Sequence, residues 1–271
     1  MSAGTEIQHH LRRIKGFLLD MDGTIYLGDR LLPGAREFLD LLEAHGRMYL
    51  FLTNNSSSHG GVYAAKLRRL GLDVGAEQIF TSGEATARYL AQRHPGARLY
   101  LVGTPALEEE FTAHGFQLVR ENPEYVVLAF DTTLTYEKLW RLCDFVRAGL
   151  PYIATHPDIN CPTETGFMPD IGAIIAAVEV STGRRPDVIV GKPYSPIVQA
   201  LKTKTGLDAS QLCMVGDRLY TDIALGQAGV LTVLVLTGET RREDLAGSVH
   251  RPDLVVEDLP ALVALLREAW S

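Results

Sequence analysis

The chain has 271 residues, 46% of them hydrophobic and 22% charged, which excludes a largely disordered protein and leaves apolar surface for more than one minimal core. A formal net charge of -7, with no clustered run of Lys and Arg, argues against a nucleic-acid polymer as partner, because such binding rests on neutralising backbone phosphates. Cys143, Cys161 and Cys213 are odd in number and widely spaced, which suggests neither a disulfide framework nor a zinc site and fits a reducing compartment. No apolar run reaches the ~18 residues of a membrane span, and the opening MSAGTEIQHHLRR lacks a signal-peptide core, so a cytoplasmic protein without a membrane partner is expected. His9 and His10 are expected in a loose terminus.

Ile14 to Leu19 is an apolar run ending at Asp20, and Met48 to Leu52 is another ending at Thr53; both read as strands buried on two faces. Between them Pro33 and Gly34 open, and Gly46 closes, an amphipathic helix carrying Ala35, Phe38, Leu41 and Leu42. A second helix carries Tyr63, Leu67 and Leu70 and stops at Gly71. Strand, helix, strand, helix predicts a parallel sheet with helical crossovers. The middle stretch has its own set: strands Leu99 to Val102, Val126 to Phe130 and Tyr152 to Ala154, and helices through Phe111, through Leu142, and from Ile171 to Val180. Asp187 to Val190, Gln211 to Val215 and Leu231 to Leu236 are then expected to complete the first sheet, with helices through Leu201 and after Thr221. The fold class is α/β, a core of residues 1–81 and 186–271 with an α/β domain inserted at 82–185.

Four polar motifs each follow an apolar strand candidate, and in a parallel sheet they would gather at the carboxyl ends, where open α/β sheets bind ligands. Asp20 and Asp22 are two apart at a strand end, so both carboxylates can face one crevice; one would act as ionised nucleophile, the other as proton donor. An Asp-rich turn is the bland alternative. An EF-hand fails, because Ile25 and Leu31 stand where its Gly and Glu belong. Thr53, Asn54 and Asn55 offer a hydroxyl, two amides and backbone N–H groups to phosphate oxygens, or simply make a loop and helix cap. Lys192, followed by Pro193, would either offset phosphate charge or be an ordinary surface lysine; a P-loop is excluded, because Pro186 occupies the position of its first Gly. Asp217 supplies a further hard oxygen for an octahedral magnesium ion. Asp222 would either orient the neighbours of Asp217 or cap the next helix.

In order and spacing, DMDGT, TNN, GKP and GDRLYTD resemble the four motifs of the haloacid dehalogenase (HAD) superfamily, and the resemblance is to the NagD and 4-nitrophenyl phosphatase branch with a large α/β cap. It implies a Rossmann-like HAD core and a Mg2+-dependent phosphatase acting on small phosphate monoesters: sugar phosphates, nucleoside monophosphates or aryl phosphates. Asp20 would be the nucleophile that forms an aspartyl-phosphate, Asp22 the acid and base, Thr53 and Asn54 phosphate ligands, and Lys192 the charge clamp. Asp20, the Asp22 backbone carbonyl and Asp217 would hold the metal. In the cap, Ala154-Thr155-His156-Pro157-Asp158 and Met168-Pro169-Asp170 resemble loops on the substrate side, with His156 and Asp158 as supporting residues. Asp170 stands where many relatives have Gly, and a carboxylate at the entrance would disfavour highly charged substrates. Cys161 is read as a half-buried inert thiol, with a reactive one as alternative. A homodimer through the caps fits the resemblance. The alternatives are a phosphomutase and a catalytically silent regulator that binds a phosphate ligand.

Overall fold

The computed structural model describes residues 3–163 and 166–271; residues 1–2 of the expected core and 164–165 of the expected inserted domain lie outside them. The chain forms two compact units: one gathers the chain up to Leu52 with Ala64–Ile79 and Leu201–Ser271, the other Thr53–Tyr63 with Phe80–Ala200. Among the described residues no helix is long and apolar enough to cross a membrane.

The first unit is built on a six-stranded sheet in the order Leu254–Val256, Leu231–Val235, Leu212–Gly216, Gly16–Leu19, Met48–Thr53, Ile79–Thr81. Gly16–Leu19 lies between Leu212–Gly216 and Met48–Thr53 and runs parallel to both, with Leu19 in register with Val215 and Phe51. All four of its residues are buried, as a strand covered on two faces requires. On one side Phe17 packs edge-to-face on Phe38 and Trp270, at 5.9 and 6.0 Å between ring centroids, joining helices Ala35–Ala44 and Leu259–Trp270 to the sheet. The amino terminus is not loose: Ala3–Arg13 is a helix, Leu11 is buried, and Arg12 Nε donates to Ala269 O at 2.6 Å. His9 and His10 belong to that helix, whose apolar face the closing helix covers.

The second unit carries a five-stranded parallel sheet in the order Val188–Ile189, Tyr152–Ala154, Tyr125–Leu128, Arg98–Val102, Gln117–Leu118. Val102, Leu128, Leu142, Tyr152, Ile171 and Val178 are the heart of its core. One expectation is corrected here. The strand at Val188–Ile189 does not complete the first sheet but pairs with Tyr152–Ala154 in the second. Asp187 decides the pairing: its N–H donates to Tyr152 O and its carboxylate accepts the Tyr152 N–H, both at 2.7 Å. The third motif therefore follows an edge strand of the second sheet. The helix expected after Thr221 is a short 3-10 segment, Ile223–Ala228.

Candidate active site

In the first unit the chain leaves its central strand at Leu19 and turns at once. Asp20 N–H still donates to Val215 O at 2.9 Å, and the N–H groups of Ile25 and Tyr26 then return to Met21 O at 2.9 and 3.1 Å. Gly23 makes the turn with φ +83, and a Cβ there would stand 2.6 Å from Asp217 Oδ2. The loop after Leu212–Gly216 brings Asp217 and Asp222 to Asp20, with one carboxylate oxygen of each within 4.8 Å of the others. All three residues are buried.

Asp217 Oδ2 accepts the Glu239 N–H at 2.6 Å, while Oδ1 is buried without a hydrogen-bond partner among the described residues. An orphaned carboxylate oxygen facing two more buried carboxylates is what a hard divalent cation would satisfy, so the residues present fit one. Without the cation, burial and then the charges of Asp20 and Asp222 push the Asp217 carboxyl up to about 8, against the pull of the Glu239 N–H and Arg218. Asp222 Oδ2 accepts the Arg218 N–H at 3.1 Å and caps no helix through its side chain, so it orients the residue after Asp217.

Asp22 has an exposed side chain whose pKa is nonetheless raised, by desolvation first, against the lowering fields of Lys66 and Arg218. The two motif acids therefore sit in different surroundings, the condition for dividing acid and nucleophile roles. Lys66 and Arg218 were not singled out in the sequence. Arg218 could have been, since it lies inside GDRLYTD; Lys66 could not, because only packing brings its ammonium 4.0 Å over the Tyr26 ring.

The second unit holds Thr53, Asn54, Asn55, Lys192, His156 and Asp158. Asn54 is fixed on three sides. Its Oδ1 accepts the Lys192 N–H at 2.8 Å, and its Nδ2 donates to Lys192 O at 3.0 Å and to Asp158 Oδ1 at 2.9 Å. Both amide hydrogens are thereby committed. The side chain therefore clamps the Lys192 backbone, and what Asn54 can still offer an anion is its backbone N–H. Gly191 permits the clamp, since a Cβ there would meet Asn54 Oδ1 and Thr155 O at 2.7 Å. Asn55 Oδ1 accepts from Ser57 N–H and Oγ at 2.9 and 2.7 Å, and its Nδ2 faces the half-buried Cys161 sulfur at 3.9 Å, so it shapes the loop. Lys192 is 2% exposed.

Two further placements differ from a loop on the substrate side. His156 is fully buried. Asp170 is 3% exposed and is no charge at an entrance: it starts helix Ile171–Thr182, its Oδ1 taking the Ile171 N–H at 2.6 Å and lying 3.0 Å from His156 Nε2.

Comparison with known proteins agrees with these motifs. A family model described as haloacid dehalogenase-like hydrolase matches residues 17–117, and a second, HAD-hydrolase-like, matches residues 189–262. The structure of 4-nitrophenylphosphatase from Thermotoga maritima is 49% identical, with a TM-score of 0.91 over 94% of this chain and 98% of that one. A 5'-nucleotidase of Bacillus subtilis is 38% identical over 250 residues, 92% of this chain and 97% of that protein. An acid sugar phosphatase of Staphylococcus aureus is 38% identical over 260 residues, 95% of this chain and all of that protein. The chain belongs to the haloacid dehalogenase-like hydrolases, as an enzyme of the phosphatase branch that includes NagD and the 4-nitrophenylphosphatases.

Proposed function

We propose that this chain is a magnesium-dependent phosphatase that hydrolyses small phosphate monoesters, such as sugar phosphates, nucleoside monophosphates and aryl phosphates, through an aspartyl-phosphate on Asp20. The observation that carries the reading is the buried cluster of Asp20, Asp217 and Asp222 at the carboxyl ends of the central strands, with Asp217 Oδ1 left without a partner among the described residues. Asp20, the Asp22 carbonyl and Asp217 would hold Mg2+, which neutralises charge between carboxylates and phosphate when bound.

An Asp20 oxygen attacks phosphorus; the new O–P bond forms as the ester P–O bond breaks. Asp22, whose pKa is raised by desolvation, would deliver a proton to the departing alkoxide. In the second half Asp22 takes a proton from water, the water oxygen attacks phosphorus, and the Asp20–phosphate bond breaks to release inorganic phosphate. Thr53 and the Asn54 N–H would hold phosphate oxygens, and Lys192 would offset their charge. Asn55, Asp222, His156 and Asp158 support these groups. In this reading the inserted cap that selects the ester runs beyond the expected 82–185 to take in the strand Val188–Ile189. The odd number and wide spacing of Cys143, Cys161 and Cys213 support a reducing, cytoplasmic location.

The decisive experiment is a phosphate-ester panel with Mg2+, followed by acid quench and peptide mapping. The phosphoryl group should be found on the peptide containing Asp20; an adduct on serine, histidine or cysteine refutes the mechanism. Free phosphate as product separates a phosphatase from a phosphomutase, which would yield an isomer, and absence of turnover on every ester would favour the silent regulator.

A further inference from the structure

His156, Asp158 and Asp170 place a nitrogen and two carboxylate oxygens within 4.8 Å of one another, the outline of a small metal site. Their hydrogen bonds speak for another role. His156 Nε2 and Asp170 Oδ1 face each other at 3.0 Å, and Asp158 Oδ1 accepts from Asn54 Nδ2 at 2.9 Å, so the atoms that would bind a cation already hold protein partners.

We propose that the buried His156–Asp170 pair is a positioning device for the phosphate loop, holding Asn54, and through it the Lys192 backbone, in one orientation. The inference rests on the phosphatase reading above. Asp170 is immobilised as the N-terminal cap of the helix Ile171–Thr182, where its Oδ1 also takes the Ile171 N–H. A carboxylate only accepts, so His156 Nε2 carries a proton and the ring cannot rotate without burying that N–H unpaired. The other ring nitrogen faces two hydroxyls, Thr155 Oγ1 at 3.0 Å and Ser82 Oγ at 3.3 Å. Ser82 donates its hydroxyl proton to Asn54 O. Thr155 Oγ1 bonds Ser56 Oγ at 3.0 Å, and Ser56 Oγ in turn accepts the Phe130 N–H at 2.9 Å. The ring is therefore hydrogen-bonded through Thr155 to the Ser56 hydroxyl and stands in contact with Ser82, whose hydroxyl holds the Asn54 carbonyl, so its orientation bears on the loop on either side of Asn55.

The carbonyl contact sets the peptide plane of Asn54 and with it the course of the carboxamide that grips Lys192 N–H and O. Ser82, Thr155, His156 and Asp170 are all buried, so no solvent stands ready to replace a lost member. The four reach the loop through Asn54 and Ser56.

The test measures inorganic phosphate affinity by calorimetry alongside ester turnover in Mg2+. Asp170→Ala should weaken phosphate binding on the order of tenfold or more, and raise KM by a similar factor for aryl and alkyl esters alike, because a loop displaced by a fraction of an ångström loses its anion contacts whatever the leaving group. Asp170→Asn, which keeps an acceptor for His156 and for Ile171 N–H, should recover most of that loss. Ser82→Ala should weaken phosphate binding similarly, and the double variant Ser82→Ala with Asp170→Ala should fall well short of the product of the single effects. Unchanged phosphate affinity in folded Asp170→Ala, or fully multiplicative effects in the double variant, overturns the proposal. If Asp170→Ala does not fold, Ser82→Ala decides: it removes one hydroxyl, and unaltered phosphate affinity is again a refutation. Should the wild type turn over no ester yet bind phosphate in an Asp170-dependent way, the phosphatase reading falls and the positioning role stands.

Discussion

Metal-free protein should lose stability as pH rises through neutrality, and Asp217 should be the reason. Its carboxyl titrates near 3.8 when unperturbed and at about 8 in the folded, metal-free site, because burial and the charges of Asp20 and Asp222 oppose its ionisation. Between those values the folded state binds a proton that the unfolded state has released. A carboxyl with a raised folded pKa therefore stabilises at low pH, and the stabilisation is lost as pH climbs toward the folded value. At about 1.4 kcal/mol per unit, moving from pH 5 to 7.5 should remove about 3 kcal/mol, or about 6 °C in the melting temperature of a chain this long. The assay is a thermal melt in chelator across that range, for wild type and for Asp217→Asn, which cannot ionise. Wild type should show the steeper decline, and Asp217→Asn should be the more stable of the two at pH 7.5. Mg2+ should then raise the wild-type melting temperature most at the alkaline end, since it binds the ionised carboxylates, and should barely move Asp217→Asn. Identical pH slopes in the two proteins would refute the assignment of the buried charge to Asp217.

Asp20→Asn keeps the size of the side chain but removes the nucleophile, so turnover should fall by at least ~1000-fold and mass spectrometry should find no phosphoenzyme. Asp22→Asn should cost alkyl phosphates about 100-fold or more in kcat, and 4-nitrophenyl phosphate much less, because a phenolate leaves without a proton; equal losses on both would argue against Asp22 as the acid. Chelation should abolish most turnover, and full activity in excess chelator would remove the metal from the mechanism. Gly191→Ala forces a Cβ to 2.7 Å from Asn54 Oδ1 and Thr155 O, so it should destabilise the fold by ~1–3 kcal/mol in denaturant melts and raise KM for every ester tested.

Much of the site is written locally. Asp20 and Asp22 could be placed because an apolar run, an abrupt acid pair and Gly23 describe a strand end and a turn without reference to the rest of the chain, and the strand was found at Gly16–Leu19 with the turn closing on Met21. Asp217 after Leu212–Gly216 follows the same logic. Helices Ala35–Ala44 and Gly60–Arg69 were legible for the same reason, their apolar spacing being a property of neighbouring residues.

What escaped involves partners far apart in sequence. The run at Val188–Ile189 looks like any other buried strand, and only the exchange of hydrogen bonds between Asp187 and Tyr152 decides which sheet receives it. A side-chain amide has two ends, and nothing in TNN says which way Asn54 points; the Lys192 N–H, 138 residues away, settles that by being able only to donate. Asp170 reads in the sequence as an added charge at an entrance, yet folding buries it against His156, where desolvation leaves no alternative to a hydrogen-bonded partner. The sequence by itself determined the chemistry available at each strand end, because that depends on residue type and local period; the tertiary structure alone decided which groups face one another, because burial and hydrogen-bond satisfaction are properties of the packed chain.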